Sequence, residues 1–62
     1  MDNVKEIDKA LRDDKTGLSI TNLVSKTSLS RGQIRTALAF LLGAGLITEK
    51  PIGMAKVYFI KK

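Results

Sequence analysis

The stretch Ser30-Arg31-Gly32-Gln33-Ile34-Arg35-Thr36-Ala37-Leu38-Ala39-Phe40-Leu41-Leu42-Gly43-Ala44-Gly45 decides how the rest of the chain is read. Ser30 with Gln33 three residues later is the pattern of a capping box, in which each residue satisfies a backbone N–H of the other at a helix start. After it Ile34, Leu38 and Leu41 recur at helical spacing, with Ala37 and Ala44 beside them. The spacing predicts a helix from Arg31 to about Ala44, with Gly45 as its C-terminal stop.

Upstream, Thr27-Ser28-Leu29-Ser30 offers three hydroxyl side chains that can bond the backbone and break a helix. Before that break Ile20, Leu23 and Val24 form a short apolar stripe, and Ser19 is a good N-cap, so a helix is expected from about Ile20 to Lys26. Two helices joined by so short a turn form a helix-turn-helix unit. Leu18 to Ile20 is too short to classify by pattern. Val4, Ile7 and Leu11 share one helical face, which predicts a first helix from about Asp2 to Asp13, ending before a turn at Gly17. Downstream, Leu46 to Lys50 and the β-branched and aromatic Val57-Tyr58-Phe59-Ile60 read as strands around a Pro51 to Ala55 loop, a β-hairpin. Val57 and Phe59 share a strand face and are expected to close the core with Leu18 and Ile47. Phe40 and Leu42 lie at the edges of the core stripe and are expected to pack against the first two helices. Exposed, they would mark a partner surface.

The 62 residues make one domain, with 44% apolar side chains to build a single core. There is no cysteine and no histidine, so the usual zinc ligands and the commonest general base are missing. The glycines follow no strand in a phosphate-loop pattern. These absences argue against an enzyme, a metal site or a cofactor, and no small-molecule ligand is evident. The longest apolar run, Ala37 to Ile47, falls short of the roughly 20 residues of a membrane span. The N-terminus alternates charges and lacks a signal-peptide pattern. The expected compartment is therefore the cytoplasm, or the nucleus where there is one, with no membrane contact.

The net charge of +5 is unevenly spread. Residues 1–14 carry three basic and five acidic side chains, net −2, whereas residues 15–62 carry eight basic side chains and a single acid, Glu49, net +7. A fold that turns the first segment to its back would present one basic face, suited to a polyanion.

At this point the residues resemble a family. Leu18-Ser19-Ile20-Thr21-Asn22-Leu23-Val24, then Leu29-Ser30-Arg31-Gly32-Gln33-Ile34-Arg35, then Leu38, Leu41 and Gly45-Leu46-Ile47 look like the winged helix-turn-helix of prokaryotic and archaeal transcription regulators. Lys56-Val57-Tyr58-Phe59 resembles the second wing strand. The match covers about residues 4–60, with Ser28 where the family usually has glycine in the turn. It implies an α+β fold, a three-helix winged helix-turn-helix with a C-terminal β-hairpin wing, whose third helix enters the major groove of double-stranded DNA.

On that implication, the candidate contacts follow from side-chain chemistry. Gly32, Arg35 and Thr36 lie opposite the core stripe, with Arg31 at the entrance; arginine can bond both acceptors of a guanine edge. Thr21, Ser28 and Ser30 can reach phosphates, although Ser30 serves first as N-cap. Gln33 is either a cap residue or a base contact. Lys26 is expected to meet phosphate. Lys50 and Lys56, on either side of the wing loop, suit the minor groove or its phosphates. One small module contacts few bases, so an operator reader would call for a homodimer. The rival reading is a protein-interaction winged helix in a nucleic-acid-processing assembly. It gains if Phe40 and Leu42 are exposed while Arg31 and Arg35 pair with protein acids.

Overall fold

A computed structural model describes residues 2–61, apart from the side chain of Asp2; Lys62, counted above in the basic sum, lies outside them. The chain folds as α1 (Asp2–Asp13), β1 (Leu18–Ser19), α2 (Ile20–Thr27), α3 (Arg31–Gly43), β2 (Ile47–Ile52) and β3 (Ala55–Ile60). The three strands form one antiparallel sheet in the order β1-β3-β2. This is the α+β winged helix, three helices and a C-terminal hairpin.

The helix ends are set by the residues that the sequence singles out. The Gln33 amide donates to Ser30 Oγ at 3.1 Å and the Ser30 amide donates to Gln33 Oε1 at 3.0 Å, a complete capping box. Ser19 and Asn22 build a second one at the start of α2. Thr27 ends α2 by donating its hydroxyl to the Leu23 carbonyl at 2.7 Å and accepting from the Leu29 amide at 3.2 Å. Ser28 takes the left-handed conformation (φ 62°) that usually calls for glycine, and its amide closes on the Val24 carbonyl. α3 ends in a Schellman arrangement. The Leu46 amide donates to the Leu41 carbonyl and the Gly45 amide to that of Leu42, with Gly45 at φ 73°.

The core gathers Ile7 and Leu11 of α1, Leu23 of α2, Ile34, Ala37, Leu38 and Leu41 of α3, and Leu18, Ile47 and Tyr58 of the sheet. Val4, Ala10, Ile20, Val24, Leu29 and Ile60 pack around them. The core stripe of α3 is thus the one that the spacing of Ile34, Leu38 and Leu41 predicts.

The hairpin differs from the expectation in register and phase. Both strands are longer and the turn is only Gly53-Met54, with Ile52 opposite Ala55 and Ile47 opposite Ile60. Gly53, at φ 62°, takes the first turn position, where a tight hairpin favours glycine. Pairing from that turn puts Ile47, Tyr58 and Ile60 on the core face, so Tyr58, and not Val57 or Phe59, closes the core. Val57 and Phe59 lie on the other face, where they cover Gly17. A Cβ at Gly17 would come within 2.6 Å of Val57 and collide with the Phe59 ring, and its φ of 93° disfavours any side chain. Because Val57-Tyr58-Phe59-Ile60 is apolar on both faces, alternation could not decide the phase; the turn does. The short segment Leu18–Ser19 resolves as the third strand, with Leu18 opposite Tyr58.

Phe40 and Leu42 are corrected as well. They are 54% and 37% exposed, and Leu46 beside them is 46% exposed. Only one layer packs on α3, which covers its stripe and leaves residues about 80° or more away in solvent.

Candidate nucleic-acid interface

The start of α3, the start of α2 and the wing border one open cleft, lined among others by Thr21, Arg31, Met54, Lys56 and Tyr58. Arg31 and Arg35 stand one turn apart on the same flank of α3 and are exposed. The Arg31 guanidinium donates to the Thr21 hydroxyl oxygen at 3.2 Å, which ties the two helices of the helix-turn-helix at their N-terminal ends. Among the described residues neither arginine takes part in a salt bridge; the ion pairs are Arg12 with Asp8, Lys26 with Asp14 and Lys56 with Glu49.

Below the arginines lies the wing's core-side face. Burial first, and then the adjacent Glu49 carboxylate, holds the Tyr58 phenol above the ordinary tyrosine range, while the charge of Arg35 pulls the other way. Lys56 Nζ lies 3.8 Å from Glu49 Oε1. The only acid of residues 15–62 thus stands beside Tyr58 and the wing lysine, a placement that composition alone does not reveal. The signal was present in the register: Glu49 is opposite Tyr58.

The other candidates divide. Ser30 and Gln33 are engaged with each other as caps, so Gln33 is a cap residue in the free protein. Gly32 and Thr36 are exposed on the outer face of α3, with the Thr36 hydroxyl donating to the Gly32 carbonyl at 3.0 Å. Ser28 is exposed in the turn. Two lysines are elsewhere. Lys26 is about 140° around α2 from Thr21; it pairs with Asp14 at 3.8 Å and borders a cleft with Glu6, Lys9 and Asp13, on the α1 side. Lys50 is on the opposite face of the hairpin from Lys56, its ammonium 5.8 Å from the centre of the Phe59 ring. Glu6 and Asp13 of α1 thus lie on the Lys26 side of α2, away from the side that Thr21 and Arg31 share. Asp14 itself is held below the usual carboxylate range by the Thr16 hydroxyl and amide, with a smaller contribution from Lys26.

No protein-family model matches the sequence, and the search of curated proteins gives no match. Among solved structures, the fold is similar to one from work on the DNA recognition and protein interaction domains of HOP2, concerned with that protein's homologous DNA pairing. The match has a TM-score of 0.80 and 24% sequence identity, and covers 95% of this chain and 98% of that one. This similarity establishes the winged-helix fold.

Proposed function

We propose that this domain binds duplex DNA without catalysing a reaction on it, through the N-terminal half of α3 and the core-side face of the wing, within an assembly that handles nucleic acid in the cytoplasm or nucleus. The observation that carries the reading is the placement of Arg31 and Arg35. Both are exposed and free of ion pairs among the described residues; Arg31 opens α3 and lines the cleft that Lys56 also borders, and Arg35 follows it one turn on. Arginine at that depth can bond guanine in the major groove, and helix-terminal amides favour phosphate. The Thr21 hydroxyl accepts from Arg31 and keeps its own proton for a phosphate oxygen. The DNA recognition reported for HOP2, on a similar fold, supports the same use of this one.

Transcription regulation, which the family resemblance implies, is the finer alternative. Arg31 and Arg35 pair with no protein acid among the described residues, so the arginine half of the criterion for a purely protein-binding module is not met. An assembly module that itself binds DNA fits better, because the exposed second half of α3 carries Phe40 and Leu42 where an operator reader would carry polar side chains. Leu42 extends the arginine flank of the same helix, and Phe40 stands on its other flank, so each offers an apolar point for protein contact. Mapping of backbone amide shifts by NMR, on adding a short random duplex, tests the reading. The largest shifts should fall on residues 19–22, 30–36 and 54–58, with little change along α1. Shifts confined to Phe40–Leu46, or none at low salt, would contradict it.

A further inference from the structure

The wing ends in a pair of apolar side chains that nothing in the fold uses. Met54, the second turn residue, is fully exposed at 107% of its reference area, and Ile52 before the turn is 55% exposed. Hairpin tips ordinarily take Asn, Asp, Ser or Gly. An apolar tip on an exposed ribbon invites unwanted pairing unless it has a use. Met54 also borders the cleft that contains Arg31 and Lys56, so the tip continues the basic front of the molecule.

The register adds the second half of the argument. Lys50 pairs across with Val57 and Lys56 with Pro51, so the two lysines stand on opposite faces of the ribbon, just behind the tip. A ribbon that enters a groove edge-on, with its plane along the groove, turns one face to each phosphate ridge. One lysine then meets each ridge and the apical side chain points between them. The minor groove of B-DNA, about 6 Å wide, is too narrow for the ribbon body but admits one unbranched side chain. Methionine is flexible and polarisable, and apolar wedges of this kind slip between base steps.

We propose that the wing tip is an apolar wedge for the minor groove: Met54, backed by Ile52, partly unstacks one base step of duplex DNA while Lys50 and Lys56 hold the two flanking phosphate ridges. This rests on the DNA-binding reading above and adds a deformation to it. In the free protein both lysines fold back from the tip, Lys50 towards Phe59 and Lys56 towards Glu49, and each is long enough to swing forward. A wedge selects steps that are easily unstacked, so the protein should prefer sites with a central TA or CA/TG step over a stiff A-tract.

The test uses the full chain and two duplexes of equal length, one with a central TA step and one with an A-tract, each carrying 2-aminopurine at the central adenine. Saturating protein should raise the fluorescence of the TA duplex roughly twofold or more and change the A-tract duplex little. Met54→Asn, a substitution suited to the turn, should abolish the rise even when its concentration is raised until the duplex is again saturated; Ile52→Thr, which keeps strand propensity, should reduce it. Salt-sensitive binding by the wild type with no rise, or a rise that Met54→Asn leaves intact, overturns the wedge and leaves the DNA-binding reading standing. No binding to either duplex at low salt overturns both. Self-association of the free chain that Met54→Asn abolishes would assign the tip to a second copy and overturn the wedge.

Discussion

The two halves of α3 share one core stripe and differ in everything they show to solvent. From Arg31 to Thr36 the exposed side chains are arginine, glycine, glutamine and threonine; from Ala39 to Gly43 they are alanine, phenylalanine, leucine and glycine. Below the surface Ile34 and Ala37 hold the first half and Leu38 and Leu41 the second, all of them buried. One continuous helix therefore carries basic side chains in its first half and exposed apolar side chains, on both flanks, in its second. Folding requires only the stripe, so the outer faces are free to serve different partners.

The largest expected effect falls on what the halves share. Leu38→Ala should lower stability by roughly 2–5 kcal/mol, because it opens a cavity among residues that are almost completely enclosed. In a chain this short that is a large part of the total. A denaturant midpoint that corresponds to a loss under about 1 kcal/mol would show that the stripe is not the common support.

The next effect separates the halves. Arg35→Ala should cost about 1–3 kcal/mol of binding to a preferred duplex and less on random DNA. Phe40→Ser, on the apolar half, should change DNA affinity by less than about 0.5 kcal/mol, as expected for an exposed side chain outside the contact. Equal losses from the two would erase the distinction. A loss from Arg35→Ala that is the same on preferred and random DNA would reduce Arg35 to a phosphate anchor.

A smaller effect concerns the core-side face of the wing. The folded protein holds the Tyr58 proton more tightly than the unfolded chain does, since burial and Glu49 both disfavour the phenolate. The corresponding stability is fully present below the ordinary value of 10.0 and is lost as pH rises through the raised folded-state value. The chain has one tyrosine and no tryptophan, so ultraviolet absorbance follows this group alone. Glu49→Gln should shift the titration down towards 10.0, with the part due to burial remaining. An unchanged titration would mean that Glu49 does not act on the phenol.

The parts of the fold legible in the sequence are those that local chemistry determines. Ser19 and Ser30 start helices because a hydroxyl can accept a free amide, and Gly45 ends one because it tolerates a positive φ. Arg31 and Arg35 could be placed from helical geometry alone. What was not legible depends on packing between elements. The face of β3 was set by a turn two residues long, which moved Tyr58 inward and put Lys50 and Lys56 on opposite faces. Lys26 reads as part of a basic front until α1 is seen packed beside it with Asp14 in reach. Phe40 and Leu42 look like core residues by composition, but a domain this thin has no second layer to cover them.

The central claim is that the basic front around α3 and the wing meets the phosphates of a duplex, and a salt titration tests it most directly. Arg31 and Lys56 lie on the front and Lys50 is within reach of it, while Arg35 is given to a base edge, so about two or three phosphates should be neutralised, and the log of affinity should fall with the log of salt at a slope of about −1.8 to −2.7. Lys56→Ala should flatten that slope by about one unit, whereas Lys26→Ala, on the α1 side, should leave it unchanged. A slope near zero, or a Lys26→Ala effect as large as that of Lys56→Ala, would contradict the account.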